Sequence, residues 1–299
     1  MKITPHHAAP RATPLHPLRL APRPEPHTSL VTGATAGIGR AIARGLAAHG
    51  SRVVLASRDR ARGLEAADDI ARATGAEVEL LEVDLAEQRS IRRAAAEALE
   101  RFGRIDVLVN DAAVWSVRRA ETAEGIERTW AVNVLGYFLL THLLTERLVA
   151  SAPARVVNVA SGLAHSLDLD DVELRRRSYR GVTAYAQSKQ ANRMLTRAFA
   201  RRLTARGVAV SAMHPGFTRT EAFAKGGGVQ GALAGLGARL FGKPPERGAD
   251  TAIWLATAPE LAGIGGGYFE DRCERACEHT DEAAEEALYA LCERMTGVA

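Results

Sequence analysis

Tyr185 and Lys189 stand four residues apart in Tyr185-Ala186-Gln187-Ser188-Lys189. On a helix that spacing projects a phenol and an ammonium from one face. A free tyrosine titrates near pH ~10 and transfers protons reluctantly at neutrality. A cation held beside it favours the phenolate and draws its pKa toward the working range. The same spacing also occurs on solvated helix faces. It gains meaning here from an upstream glycine-rich turn, an Asn and a Ser, in an order that makes chemical sense.

The turn is Leu30-Val31-Thr32-Gly33-Ala34-Thr35-Ala36-Gly37-Ile38-Gly39, an apolar run entering three glycines and then a helical pattern from Arg40. Glycines let the backbone turn sharply and come close to a phosphate, and a helix N-terminus adds free N–H groups and a positive dipole end. The pattern is that of a dinucleotide-binding turn, spaced T-G-x-x-x-G-x-G rather than G-x-G-x-x-G.

The elements that must position these groups alternate. Strands are predicted at 28–32, 52–56, 78–83, 105–110, 155–160 and 208–213, with a short one at 267–269. Helices are predicted at 38–49, 60–73, 88–101, 123–149, 184–205, 247–256 and, at the end, 281–296. Gly50, Gly75, Gly103 and Gly207 fall where helices should stop. Apolar strands alternating with helices predict a parallel sheet covered on both faces, an α/β class. Residues 1–27 hold seven of the twelve prolines and four of the nine histidines without hydrophobic periodicity, and read as a disordered leader. The expected division is this leader, a sheet domain over 28–271, and a loop and helix over 272–299.

Composition narrows the function. A chain of 299 residues, 46% hydrophobic, can bury one substantial core. The net charge is +4, and the leader supplies +3 of it (Lys2, Arg11, Arg19 and Arg23 against Glu25). The remainder is nearly neutral, so no nucleic-acid partner is expected. No run of ~18 apolar residues predicts a membrane span. Cys273, Cys277 and Cys292 make no disulfide framework, and with His279 they lack zinc-site spacing. A cytoplasmic protein without a metal is expected.

The second strand ends at Ser57-Arg58. An acid there would accept from a ribose 2′-OH, whereas an Arg accommodates a 2′-phosphate, so NADP(H) is preferred and NAD(H) remains possible. Ser161 ends the fifth strand, where ligands of such sheets bind. Asn133 sits in the apolar helix pattern Trp130–Gly136 and needs a partner if buried. Two walls could shape a substrate pocket: the charged, surface-exposed insertion 167–177 and the Gly/Ala-rich stretch 217–246 with Phe217, Phe223 and Phe241. Trp115 could add an aromatic wall.

Thr32 to Gly39, Asp84-Leu85, Asn110, Asn133, Ser161, Tyr185, Lys189 and Pro215-Gly216 resemble the short-chain dehydrogenase/reductase superfamily, in family order over 28 to about 271. The stretches Val156–His165 and His214-Pro215-Gly216 are most similar to its retinol-dehydrogenase and WW-domain-oxidoreductase branch. The resemblance implies one Rossmann-type doubly wound domain, about seven parallel strands flanked by helices. It also implies interconversion of a small hydrophobic alcohol and its ketone or aldehyde. Tyr185 would be the acid/base, Ser161 would hold the substrate oxygen, Lys189 would lower the Tyr185 pKa and hold the nicotinamide ribose, and Asn133 would position a relaying water. Cofactor contacts would come from Gly33, Thr35, Gly37, Ile38, Gly39, Ser57, Arg58, Asp84, Leu85, Asn110, Ala112, Tyr185, Lys189, Pro215, Gly216, Thr218 and Thr220. Trp115, His165, Phe217 and Phe223 would line the substrate side. Family members often pair through the two long helices, so a homodimer or homotetramer is possible. Asn110-Asp111-Ala112-Ala113 departs from the family's Asn-Asn-Ala-Gly: Asp111 brings a charge and Ala113 a methyl close to the cofactor. A non-redox enzyme on the same fold, or a silent cofactor-binding sensor, stays open as an alternative.

Overall fold

Apolar runs form eight strands in a computed structural model that describes residues 27–216, 243–277 and 281–298. They are β1 (Thr28–Thr32), β2 (Arg52–Ser57), β3 (Val78–Glu82), β4 (Val107–Asn110), β5 (Ala154–Val159), β6 (Val208–His214), β7 (Tyr268–Glu270) and β8 (Cys273–Arg275). The helices are α1 (Gly37–Ala48), α2 (Arg60–Thr74), α3 (Gln88–Arg101), α4 (Arg128–Trp130), α5 (Gly136–Ala150), α6 (Gly181–Leu203), α7 (Pro245–Thr257) and α8 (Glu282–Thr296), with a π-helical turn over Ala131–Leu135. Sheet order is β3-β2-β1-β4-β5-β6-β7-β8. All neighbours are parallel except β7 and β8. The antiparallel β8, an exposed edge strand holding Cys273, is the one strand the sequence pattern does not predict.

Consecutive strand residues bury into opposite layers, which is why the strands read as unbroken apolar runs. Leu30, Val54, Leu108, Val156 and Val210 face a layer with Ile91, Phe138 and Phe199. Val31, Val53, Leu55, Val109 and Val157 face the other, with Ile42, Leu46, Ile70 and Leu255. The chain moves outward from β1 through β2 to β3 and then restarts on the other side of β1 at β4. This reversal opens a crevice at the carboxyl ends of β1 and β4, the place where such sheets take ligands.

The long helix expected over 123–149 begins later. Gly125 has φ of 74°, and Glu121 bridges Glu127, so the chain turns before it can coil. The buried Glu127 carboxylate then caps α4 by accepting from Thr129 N (2.9 Å) and Trp130 N (2.7 Å). The insertion 167–177 is also not a solvated loop. Asp171 accepts from the backbone N–H groups of Arg175, Arg176 and Arg177, and Gln187 Nε2 donates to Val172 O at 2.6 Å, so Val172 and Leu174 are buried.

Helix α8 covers part of the surface expected to be free for a second copy. Tyr289 packs edge-on against Phe138 of α5 (5.0 Å) and Phe199 of α6 (5.1 Å). The Glu285 carboxylate has 0% exposure and receives both Arg197 Nε (2.6 Å) and Arg201. Gln88 and Arg92 of α3 donate to the carbonyls of Met295 and Thr296. Among the described residues no helix is long and apolar enough to cross a membrane.

Removing one partner of a buried ion pair leaves the others uncompensated, though the two arginines are about one-third exposed and can rehydrate. Glu285→Ala should therefore cost about 2 kcal/mol in urea unfolding. A cost below ~0.5 kcal/mol would mean that α8 contributes no more than a surface pair does.

Candidate active site

Gly33, with φ of 71°, ends β1 where β4 ends beside it. A Cβ on Gly33 would lie 2.8 Å from Ala112 Cα, so only glycine permits this approach. Thr32 Oγ1 ties the two strand ends by accepting from Asp111 N (3.0 Å) and Ala112 N (3.1 Å). Ala113, which brings a methyl where the family has glycine, does not have a positive φ. Helix α1 starts directly after the turn. Its N-cap residue Ala36 has no side chain to cap it, and its first turn holds no acid. Uncapped N–H donors at a helix N-terminus suit the pyrophosphate of a dinucleotide, with Thr35 half-buried and Ile38 buried at the same turn.

The flanking residues fall around this crevice. Ala56 lies opposite Thr32 in the β1–β2 register, which puts Ser57 and Arg58 just beyond it. The Ser57 hydroxyl is engaged with the Asp59 backbone, while Arg58 is exposed. Asp84 follows β3, its carboxylate accepting from Ala86 N at 2.9 Å, and Leu85 packs against Gly136. Pro215 and Gly216 follow β6, with Lys243 Nζ near Gly216. Thr218, Thr220, Phe217 and Phe223 lie outside the described residues.

Two asparagine side chains find partners within the protein. The Asn110 side chain is fully buried and turned into the core, donating to Asn158 Oδ1 (2.9 Å) and Thr141 Oγ1 (3.1 Å), so only its backbone borders the crevice. The Asn133 side chain is clamped between the Val114 backbone and Ser188. Its Oδ1 accepts from Val114 N (2.8 Å), and its Nδ2 donates to Val114 O (3.0 Å) and Ser188 Oγ (3.1 Å). The π-helical turn around Asn133, in which Gly136 N bonds Ala131 O, shifts the local carbonyl register.

Ser161, just past β5, hydrogen-bonds the Tyr185 phenol through its side chain. Arg193, one turn beyond Lys189, braces it by donating to Ser161 O and to Tyr268 OH, both at 2.5 Å. Trp115 stacks on the Tyr185 ring at 5.3 Å. Helix α6 starts at Gly181, where a Cβ would lie 2.2 Å from Ser116 O, so the absence of a side chain lets the helix approach the Trp115 segment. His165 is exposed, bonded to Ser166 and set beside the Ala186 carbonyl.

Lys189 is buried, donates to Val159 O at 2.7 Å and sits 5.7 Å from the Tyr185 ring and 5.3 Å from that of Tyr137. Burial pushes its ammonium down, while Asp111 pulls the other way. Burial also drives the Asp111 carboxyl up, against the attraction of Lys189 and a hydrogen bond from Gly39 N. The expected depression of Tyr185 by Lys189 is not present in the protein alone. Burial, with the Asp111 charge added, outweighs the Ser161 hydrogen bond and holds the phenol up at about 12. Tyr137, Ser188 and Arg193 join the site without a sequence signal that singles them out, whereas Asp111 shows in the sequence as a charge in the turn after β4. A helical-spacing rule carried past Lys189 reaches Arg193, but no sequence pattern marks Tyr137.

Residues 27–227 match the short chain dehydrogenase family. Human retinol dehydrogenase 13 is 40% identical over 282 residues, spanning 91% of this chain and 85% of its own. A WW domain-containing oxidoreductase of Pongo abelii is 37% identical, spanning 89% and 67%. A solved structure from Beutenbergia cavernae, assigned as an NAD(P)-dependent gluconate 5-dehydrogenase with bound NADP at low occupancy, aligns with a TM-score of 0.67 at 31% identity, over 86% and 97%.

The phenol's protonation is directly testable. An ultraviolet difference titration of wild type minus Tyr185→Phe, without cofactor, should show no tyrosinate from this residue until the pH nears its pKa of about 12. A midpoint at ~10, the free-tyrosine value, would contradict the burial argument.

Proposed function

The chain belongs to the short chain dehydrogenase family and is an NAD(P)-dependent oxidoreductase acting on CH–OH or C=O groups, and from that premise we propose that it reduces a hydrophobic ketone or aldehyde with NADP(H), using Tyr185 as the proton donor. The observation that carries this reading is the Ser161–Tyr185 hydrogen bond at the carboxyl end of β5, beside buried Lys189. A bound nicotinamide supplies or accepts the hydride. Gly33, Thr35, Gly37, Ile38, Gly39, Asp84, Leu85 and Ala112 would hold the adenosine and pyrophosphate portions, and Pro215 and Gly216 would border the nicotinamide end.

Protonated Tyr185 gives its phenolic proton to the substrate oxygen as negative charge develops there, and Ser161 shares that oxygen by hydrogen bonding. A phenol held neutral by burial favours the reductive direction, because the oxidative direction requires the phenolate. Lys189, buried against the Val159 carbonyl, brings a positive charge that stabilises Tyr185 once it has lost its proton. Asn133 acts by position: it clamps the Val114 backbone and Ser188, so that α6 and the segment after β4 keep one spacing. Trp115, stacked on Tyr185, and exposed His165 give the substrate side an aromatic wall and a polar rim. This supports an apolar substrate.

Arg58 is proposed as the reader of the 2′-phosphate, supported by its exposure past β2 and the Ser at position 57 in place of an acid. No disulfide joins Cys273, Cys277 and Cys292, and a reducing cytoplasm is the compartment proposed for the chain.

Consumption of NADPH over a panel of hydrophobic ketones and aldehydes tests the reading. Tyr185→Phe should lower kcat by about 10²- to 10⁴-fold, the usual contribution of a positioned proton donor. Arg58→Ala should raise KM for NADPH by about 10- to 100-fold with little change for NADH, the worth of a hydrogen bond to a charged group. Equal losses for both cofactors would remove Arg58 from that role, and turnover surviving in Tyr185→Phe would remove Tyr185.

A further inference from the structure

Asp111 is where this chain departs from its family's Asn-Asn-Ala-Gly, and its carboxyl lies at the N-terminus of α1. Asp111 Oδ2 is 2.6 Å from where a Cβ on Gly39 would be, and the Gly39 N–H donates to the carboxyl. No side chain of α1 performs this task, since Ala36 cannot cap and the first turn is free of acids. The carboxyl thus reaches over from the end of β4 to occupy one of the donors of a helix N-terminus that suits an anion.

We propose that Asp111 is a built-in anionic competitor at the pyrophosphate end of the cofactor site, so that dinucleotide binding is coupled to uptake of a proton by this carboxyl. The inference rests on the dinucleotide reading above. A carboxylate and a pyrophosphate on neighbouring N–H groups of one helix terminus repel each other in a partly desolvated crevice. Protonation removes that repulsion without breaking the local structure, because a neutral carboxyl still offers its carbonyl oxygen to Gly39 N–H. Burial already raises this carboxyl to about 7, against the pull of Lys189 and the Gly39 N–H, so the proton is available near neutrality. The titratable groups that sense it are Lys189 and Tyr185 on α6 and Tyr137 on α5. Both tyrosines are raised and stay neutral through this range. Lys189 is bonded to the Val159 carbonyl on β5, not to the helix terminus.

The sign follows from linkage. A group that must be protonated in the complex and is ionised in the free protein makes affinity fall as pH rises above its free-state pKa. ADP-ribose is the probe, because it carries the pyrophosphate but neither nicotinamide nor 2′-phosphate; NADPH is titrated beside it. Binding to wild type, followed by calorimetry, should weaken by roughly tenfold between about pH 6 and about pH 8.5 at fixed ionic strength. Asp111→Asn, which keeps the shape and the acceptor, should flatten that dependence and bind more tightly than wild type at the alkaline end. Lys189→Met should retain a slope displaced to higher pH, since losing the cation raises the carboxyl further. Asp111→Ser serves the same comparison if the Asn variant does not fold. In wild type, calorimetry in two buffers of different ionisation enthalpy should also show net proton uptake at slightly alkaline pH.

Equal pH slopes in wild type and Asp111→Asn, or zero proton uptake in wild type, would overturn the proposal while leaving the dinucleotide reading intact. Failure of both ADP-ribose and NADPH to bind any of these proteins at any pH would overturn the dinucleotide reading, and this inference with it.

Discussion

The Asn133 side chain is the joint on which the site geometry depends. It is fully buried and makes three hydrogen bonds, two to the Val114 backbone and one to Ser188. Val114 follows the end of β4, and Ser188 sits between Tyr185 and Lys189 on α6. One amide therefore fixes how far Tyr185 and Lys189 stand from the strand ends that border the crevice. A buried amide left without partners costs more than its hydrogen bonds return, so these three elements move together or not at all. Other contacts hold the same spacing from the sides: Trp115 stacks on Tyr185, the absence of a side chain at Gly181 brings α6 against Ser116, and Arg193 holds the Ser161 carbonyl.

Within that frame the electrostatics are unusually self-contained. Asp111 and Lys189 each partly offset the cost of burying the other's charge, and Tyr185 lies in the field of both. The lysine alone would favour the phenolate. Burial, with the Asp111 charge added, outweighs that tendency and keeps the phenol neutral. Asp111, one of the two departures in the turn after β4, thereby adds to the raised pKa of a tyrosine more than seventy positions later in the chain. The N-terminus of α1 is affected as well, since the same carboxyl sits on it.

Much of the architecture was legible because the sheet is buried on both sides. β1 and α3 match the predicted bounds, and most other elements fall within two or three residues of theirs, since fully apolar strands and glycine stops leave few alternatives. Tyr185, Lys189 and Ser161 were legible through their order and spacing. What escaped depended on tertiary partners. The late start of α4 follows from a turn at Gly125 and a cap by Glu127. The insertion 167–177 reads as charged, yet Asp171 spends its charge on three successive backbone N–H groups. Asn110 has the composition of a ligand contact but finds its partners in the core. Helix α8 was expected as an element, though nothing in its pattern shows that Glu285 would be buried against two arginines of α6, on a face through which family members often pair.

In the proposed reaction the crevice delivers a hydride to a carbonyl carbon beside Tyr185. A single turnover with NADPH deuterated at nicotinamide C4 and a hydrophobic ketone, with the product read by mass spectrometry, tests this most directly. The account predicts one deuterium on the carbinol carbon for each NADP⁺ formed, and loss of that label transfer in Tyr185→Phe. Bound cofactor that remains reduced across the ketone and aldehyde panel, or product formed without the label, would contradict it.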